Sequence, residues 1–317
     1  MTGFPKYILS VIVLAQFFCT SLWFAGNGVM ADLVMTYNLD STAVGYLTSS
    51  VQFGFIIGTL CFAIFTITDR YSPSTVFFFC AILGAIFNAS IALPGNTLYT
   101  ILMLRFLTGF FLAGIYPVGM KIASDYFDKG LGKSLGFLVG ALVLGTALPH
   151  LLSDLGQSFP WVAVLLTTST LALIGGLSIF LFIPDGPYRK VGAGINLRAF
   201  FDVFKKPAFR SSAFGYFGHM WELYAFWAFV PTMLTLYNNL HPTTTLNVSR
   251  TSFFVIGIGA IACAIGGIFS LKWGTKRTAF YALLLSGCCC LLSPFFFSHE
   301  PVSICRFSSL LGNDGYC

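Results

Sequence analysis

The sequence has very little charge. Only 9% of its 317 residues are Asp, Glu, Lys or Arg, whereas soluble globular domains carry about 25%. A chain with so few charged groups cannot cover a water-facing surface, and this excludes an ordinary soluble domain. The net charge is +6, but no basic run with interleaved aromatic residues accompanies it, so nucleic acid is not expected as a partner.

Motifs for several chemistries are also missing. The sequence has no phosphate-binding loop of the GxxxxGK[ST] type, which excludes a recognisable ATP-driven motor, and it has no HExxH or CxxC metal signature. Its nine Cys residues lie mostly within apolar runs, as is typical of small buried hydrophobic side chains, and they form no disulfide pattern. We therefore expect no enzyme activity, no cofactor and no metal site.

Long apolar runs make up most of the chain, and 56% of the residues are hydrophobic. A membrane-spanning helix needs about 20 apolar residues, and roughly nine runs meet this requirement. The first run is too long for the apolar core of a secretory signal peptide. The sequence predicts an all-α, polytopic helix bundle with spans at residues 7–30, 43–67, 75–94, 98–122, 134–153, 160–183, 211–237, 251–271 and 278–297.

The basic residues predict the orientation. If the N-terminus is cytoplasmic, all of the seventeen Lys and Arg residues fall in cytoplasmic segments except Arg105, Arg250 and Arg306, in agreement with the positive-inside rule. We therefore predict a multi-pass protein of the plasma membrane, the inner membrane in a bacterium, with its N-terminus in the cytoplasm.

The polar stretches predict four segments. Residues 1–183 would form an N-terminal six-helix bundle, 184–210 a cytoplasmic central loop, and 211–297 a partial C-terminal bundle of three helices. Residues 298–317 form a tail that is too polar and too short to span a membrane. A truncated or frameshifted reading frame is one interpretation of this tail.

Two cytoplasmic hairpin loops resemble each other. FTITDRYSPS (65–74) follows the second span and GIFSLKWGTK (267–276) follows the eighth. When the loops are aligned, Arg70 matches Lys272, at an offset of about 200 residues. Such an offset is typical of a transporter built from two similar halves.

These loops resemble the motif G-x-x-x-D-[RK]-x-G-[RK]-[RK] of the major facilitator superfamily, which follows the second helix and recurs weakly after the eighth. The first loop keeps Asp69 and Arg70 but departs from the motif at four other positions: Phe65, Ser72, Pro73 and Ser74. The second loop has Leu271 in place of the acidic residue and keeps four positions of the motif: Gly267, Lys272, Gly274 and Lys276.

Two further segments support the resemblance. RFLTG (105–109) is similar to the family's fourth-helix motif. The fifth span carries a loose version of the fifth-helix motif, for which close helix packing through small residues is an alternative explanation; its residues are Gly136, Gly140, Gly145 and Pro149. The resemblance implies a twelve-helix carrier, of which about nine helices are present, that works by alternating access.

The resemblance also implies a gating role for the two loops. Asp69 would pair with a cation or a helix N-terminus of the other bundle and so hold one arrangement of the two bundles. An ordinary solvated turn is the alternative, because positive-inside bias alone would place Arg70 there.

Ionisable residues deep in a membrane are costly and are therefore candidates for function. Glu222 lies about 16 Å into its helix, near the bilayer midplane. His219, three residues earlier, shares its face, so Glu222 could bind and release a proton that His219 tunes. A His–Glu pair that only fixes helix packing is the alternative.

Arg105 lies about 10 Å into its helix, where it could bind an anionic substrate or pair with a carboxylate; a structural bond to backbone carbonyls is the alternative. Gln16 and Gln52 lie at similar depths, and Asn27 lies at the outer end of the first span. Such amides more often form helix–helix hydrogen bonds. The family resemblance places Gln16, Arg105 and Glu222 on helices that line its substrate cavity.

The sequence thus predicts a monomeric secondary transporter, in contact with the lipid bilayer, that moves a small-molecule substrate together with H⁺. A non-functional fragment of such a carrier, and a membrane receptor or structural protein without transport, are the alternatives. The substrate is left open between a small anion or metabolite, as in carriers similar to cyanate permeases, and an apolar cation in drug efflux.

Overall fold

The computed structural model describes residues 7–40, 42–127, 131–155, 159–189, 202–242 and 245–297. These residues form helices and connecting turns, with no strand among them, which confirms the all-α prediction. The helices are α1 (Tyr7–Thr20), α2 (Ala25–Gly28), α3 (Met30–Tyr37), α4 (Ala43–Ile64), α5 (Ile67–Arg70), α6 (Pro73–Ser90), α7 (Leu98–Leu112), α8 (Tyr116–Tyr126), α9 (Leu131–Asp154), α10 (Trp161–Phe182), α11 (Pro207–Leu240), α12 (Val248–Trp273) and α13 (Thr275–Phe297).

Each predicted span coincides with a helix or with a broken series of helices, but two spans are interrupted. The first continues to Tyr37 as α1, α2 and α3, with a break at residues 21–24. The fourth consists of α7 and α8, separated at residues 113–115. Glycine lies at or beside both breaks, as Gly26 and Gly114, and its low helix propensity makes such an interruption less costly. Apolar periodicity alone does not reveal breaks of this kind.

Six helical segments within the described residues are long and apolar enough to cross a membrane. They are Ala43–Ile64, Pro73–Ser90, Leu98–Tyr126, Leu131–Asp154, Trp161–Phe182 and Val248–Trp273. The helix Tyr7–Thr20 is apolar but shorter. Helices α11 and α13 are long enough but are not among the six.

The N-terminal half packs around α1. This helix contacts α9 on one side and α10 on the other, while α6 packs against α10 and α7, and α7 packs against α4. The core includes completely buried Ile12, Cys19 and Phe77. Helices α11, α12 and α13 form the second half and contact one another in sequence.

Helices α9 and α12 form the main contact between the halves. They run antiparallel, from Gly132 beside Leu271 at one end to Asp154 beside Arg250 at the other. We call these the Tyr7 end, where α1 and α9 begin, and the Asp154 end. A Cβ atom on Gly136 would lie 3.2 Å from the Cα atom of Gly267, so the two backbones approach more closely than larger side chains would allow.

Candidate transport site

Arg105 holds the break in the first span. Its side chain is 1% exposed, and its guanidinium donates hydrogen bonds to the carbonyl oxygens of Leu22, at 3.1 Å, and of Trp23. The break deprives these carbonyls of their helical partners, so Arg105 satisfies groups that would otherwise be unpaired in the protein interior. Its Nε atom has no hydrogen-bond partner among the described residues.

The broken segment also contacts the second half through an aromatic cluster. The rings of Trp23 and Tyr224 stack with centroids 5.2 Å apart, and Phe24 meets the edge of Trp227 at 6.0 Å. Trp23, Phe24 and Trp227 are buried. The break in α1 therefore lies where the halves meet, and Arg105 of the N-terminal half supports one side of that contact.

The three amides proposed from the sequence occupy different surroundings. Asn27, one residue beyond the glycine that packs on Arg105, donates a hydrogen bond of 2.8 Å to Thr48 of α4. Gln16 is completely buried, and neither of its amide atoms has a hydrogen-bond partner among the described residues. It lies against Gly119, whose added Cβ atom would be 2.3 Å from Oε1 of Gln16. The Nε2 atom of Gln52 is buried without such a partner too.

Glu222 faces another helix of its own half. Its Oε1 accepts a hydrogen bond of 2.5 Å from the Ser286 hydroxyl and a longer one, at 3.4 Å, from the Cys290 thiol, both on α13. The Nδ1 atom of His219 lies 3.9 Å from Oε2 of Glu222, which is beyond hydrogen-bond length. The two residues share a face as predicted, but Ser286 is the closest partner of the carboxylate.

The sequence-predicted residues thus fall into three places. Arg105 and Asn27 lie at the break of the first span, Gln16 and Gln52 lie within the N-terminal half, and Glu222 lies with His219 beside α13. The sequence did not indicate the aromatic contacts of Trp23 and Phe24, which join the break of the first span to α11. The signal that could have revealed them is the segment LWFAGNG (22–28), in which bulky aromatic residues precede two glycines.

The first gating loop forms its ion pair within its own half. Lys121 of α8 donates to Oδ1 of Asp69 at 2.7 Å, whereas the sequence predicted a partner on the other bundle. The physical reason is that α8 continues to Tyr126 and brings Lys121 beside α5. Arg70 is exposed. Ser72, just after this pair, donates to Asp185 at 2.6 Å, so the hairpin is also tied to the start of the central loop.

The second gating loop is placed differently from the first. Gly267 lies inside α12, in the close contact with Gly136 of α9, so it acts in helix packing. Gly274 has φ +82° and ends α12, with Lys272 in the last helical turn and Lys276 in the first turn of α13. Both lysines are exposed.

A cross-half ion pair lies at the Asp154 end. Arg250 donates from Nε to Oδ2 of Asp154 at 2.9 Å, and Asn247 donates to the other carboxylate oxygen at 2.5 Å. In the sequence, Arg250 stands out only as an exception to the positive-inside rule. This exception could have indicated the ion pair, because a basic residue on the less basic side of a membrane protein suggests a specific local partner.

Several predictions lie outside the described residues. The tail 298–317 and most of the central loop, at residues 190–201, are among them. The described cysteines are free thiols, and no cluster of metal-ligating side chains occurs among the described residues.

Comparison with known proteins places the chain in a family. The sequence model of the Major Facilitator Superfamily matches residues 12–316. The MFS-type transporter acdC of Aspergillus candidus is 27% identical over 154 residues, which are 47% of this chain and 29% of that protein. The chain therefore spans less than a third of the length of this relative.

A solved structure shares the fold. The crystal structure of a bacterial homolog of the human lysosomal transporter Spinster, inward-facing and unoccupied, matches with a TM-score of 0.61 at 17% identity. The match covers 86% of this chain and 64% of that chain. Together with the helical architecture and the family match over almost the entire length, this shows that the chain belongs to the Major Facilitator Superfamily of transmembrane transporters.

Proposed function

We propose that the chain carries a small solute across a membrane by alternating access and couples this movement to a proton. Membership of the family supports transport of a small solute. The proposal adds a place for the solute, a proton carrier and a gate, each argued from contacts in the structure.

The observation that carries the proposal is the broken first span at the contact between the halves. Irregular backbone at membrane depth is tolerated only where protein buries it or where it lines a cavity. Here Arg105 stabilises the free carbonyls of Leu22 and Trp23, and Tyr224 of the other half packs on the same segment. Movement of one half against the other would therefore expose or cover this segment, as a solute site between two halves requires.

Within this arrangement we assign Arg105 a positioning role. Each terminal nitrogen of its guanidinium donates to a backbone carbonyl, so two of its five N–H groups are committed to the broken span. Gln16 is the better candidate for direct solute contact. Its buried amide lacks partners among the described residues, and an unpaired buried amide is costly unless a ligand or water satisfies it.

Glu222 is the proposed proton carrier. Its carboxylate, which the sequence predicts to lie near the bilayer midplane, receives hydrogen bonds from Ser286 and Cys290, and both donors can remain as neighbours when the acid is protonated. His219, 3.9 Å away, would form a charged pair with Glu222 only after a small side-chain rotation. Proton binding at Glu222 would change the contact between α11 and α13, and α11 carries the aromatic residues that meet the broken span.

The contact between Asp154 and Arg250 is the proposed gate at one end. It joins the halves at the Asp154 end, whereas the ion pair of Asp69 with Lys121 joins two elements of the same half at the Tyr7 end. This difference supports an arrangement that is closed at the Asp154 end. Under the predicted orientation, the Tyr7 end is cytoplasmic.

Two other functions stay open as alternatives: a fragment without transport, and a membrane receptor or structural protein. The observation that favours them is the exposure of large apolar side chains on α12 and α13, including Ile258 and Leu285. These faces are suited to contact with lipid or with further protein.

The test is charge movement in proteoliposomes on a solid-supported membrane. The purified chain would be challenged with a panel of small organic carboxylates, cyanate and aromatic amines, each with and without an inward pH gradient. A carrier gives solute-dependent currents, or solute-dependent pH changes in the lumen where the charges of the solute and the proton cancel, and these responses saturate and grow with the gradient. A receptor binds a panel solute, seen as increased thermal stability, without producing current. A fragment shows neither response, and that outcome would overturn the proposal.

A further inference from the structure

An apolar groove runs along the outside of the contact between the halves. It has a cavity volume of about 520 Å³ and is lined by twelve residues of α1, α9 and α12, none of them polar. The lining includes Leu14, Phe17, Phe137, Leu144, Ala264 and Ile265. This groove is separate from the break of the first span and from Glu222, which contribute no residue to its lining.

The groove is open along one side and lies nearer to the Tyr7 end. Leu14 and Ile261 line it and are 53% and 62% exposed. On α9 the lining extends from Phe137 to Leu144, a rise of about 10 Å that starts roughly 9 Å from the first residue of the helix. The hydrocarbon of one leaflet is about 15 Å thick, half of a core of about 30 Å. The groove therefore begins in the leaflet on the Tyr7 side and extends to about the bilayer midplane.

A cation marks the Tyr7 end of the groove. The ammonium of Lys133 lies 5.9 Å from the ring centroid of Phe137, which lines the groove one turn further along α9. Lys272 lies nearby, because the preceding residue, Leu271, lies against Gly132. Both lysines are exposed, and neither forms an ion pair with any residue that the structure describes.

We propose that this groove binds one acyl chain of an anionic phospholipid, with the lipid phosphate at Lys133 and Lys272. The wholly apolar lining matches a hydrocarbon chain, and its opening faces the medium that supplies such chains. The pair of uncompensated cations at its end matches an anionic headgroup, since basic residues at the membrane surface attract anionic lipids. A lipid held there would contact α1 and α9 of one half and α12 of the other, and so would bridge the two halves.

The test is photolabelling of the full chain in liposomes. Two probes carry the same diazirine-bearing acyl chain, one on phosphatidylglycerol and the other on phosphatidylcholine, and labelled peptides are mapped by mass spectrometry. We expect labelling to concentrate in peptides that contain residues 137–144 and 260–268. We expect phosphatidylglycerol to be preferred by about fivefold for each basic residue that contacts the headgroup.

Two substitutions test separately the binding of the acyl chain in the groove and the binding of the headgroup at the lysines. Ala264→Phe fills the groove and should reduce labelling several-fold, whereas Ala262→Phe, the same change two residues away at an exposed position outside the lining, should not. Lys133→Gln should remove about fivefold of the phosphatidylglycerol preference and leave phosphatidylcholine labelling unchanged. Lys206→Gln, at an exposed lysine elsewhere, is its control, and thermal unfolding confirms that each variant is folded.

Three results would overturn the proposal: equal labelling by both lipids, equal labelling of the two Phe variants, or displacement of the phospholipid by a single-chain fatty acid at equal concentration. None of these readouts uses transport, so they are independent of the outcome of the charge-movement assay.

Discussion

The carboxylate of Asp154, at the last residue of α9, accepts a hydrogen bond of 2.9 Å from the guanidinium of Arg250 in the first turn of α12. The arginine side chain is 62% exposed and the aspartate side chain 8% exposed. This pair joins the two halves at the end of the interface opposite to Gly132. An asymmetric pair of this kind loses little when it opens, because Arg250 is already largely hydrated.

Removal of this pair should loosen the Asp154 end. The exposed Arg250 side alone would contribute up to about 1 kcal/mol, but its loss also leaves the nearly buried Asp154 carboxylate without a counter-ion, so Arg250→Ala should increase the population open at that end by about fivefold or more. Hydrogen–deuterium exchange should accelerate in peptides covering residues 150–155 and 247–252. Lys205→Ala, which removes the exposed pair with Asp202 outside the interface, is the matched control. Unchanged exchange at both peptides in Arg250→Ala would show that the pair does not hold this end.

The close contact of α9 with α12 should depend on Gly267 and not on its neighbour. A Cβ atom on Gly267 would lie 3.2 Å from both the Gly132 carbonyl oxygen and the Gly136 Cα atom, whereas one on Gly266 would meet nothing within 4 Å. Gly267→Leu should therefore separate the two helices and destabilise the fold by about 1–3 kcal/mol through overpacking. Thermal unfolding in detergent measures this difference. Equal loss of stability in Gly266→Leu would contradict the placement of these helices.

The family motif and the structure describe Gly267 differently. The match to the loop motif predicted that Gly267 belongs to a gating loop between two helices, whereas the structure places it within α12. The alternative considered for the fifth-span glycines, close packing through small residues, describes Gly136 and Gly140, which both pack on α12. A motif records which residue types occur together and does not specify which helix face each residue occupies.

Arg105 should tolerate lysine poorly, although the charge is retained. The guanidinium contacts the carbonyls of Leu22 and Trp23 through two separate nitrogens, and an ammonium group on a thinner stem does not reproduce this arrangement. One unpaired buried carbonyl costs about 1–3 kcal/mol. Arg105→Lys should therefore lower thermal stability and the maximal transport rate, with little change in KM.

The same variant distinguishes positioning from direct binding. If Arg105 binds an anionic solute mainly by its charge, Arg105→Lys should keep its stability and transport rate while KM increases. Arg250→Lys serves as a control, because that guanidinium is largely exposed and forms no contact with the broken span.

The positions of polar residues along the apolar runs could be counted from the sequence, whereas their partners could not. Arg105 and Gln16, two of the residues selected by this counting, are buried in the structure. The break at residues 21–24 was invisible in the apolar pattern, because both sides of it are hydrophobic. Because the sequence did not reveal the break, it could not indicate that Arg105 bonds to the carbonyl oxygens of Leu22 and Trp23. Because it did not reveal how α13 packs on α11, it could not indicate the hydrogen bond between Ser286 and Glu222.

The most direct test of proton-coupled transport compares the chain with its Glu222→Gln variant in proteoliposomes, using whichever panel solute gives the largest current. Glutamine still offers an oxygen to the Ser286 hydroxyl, so the contact of α11 with α13 should persist while the proton site is lost. Asp32→Asn, a similar change at an exposed carboxylate, is the control. We expect Glu222→Gln to retain solute exchange at equal pH and to lose accumulation driven by the pH gradient, with the control unchanged. Gradient-driven accumulation that persists in Glu222→Gln would contradict the assignment of the proton to this residue, and the absence of solute movement in every chain would contradict transport itself.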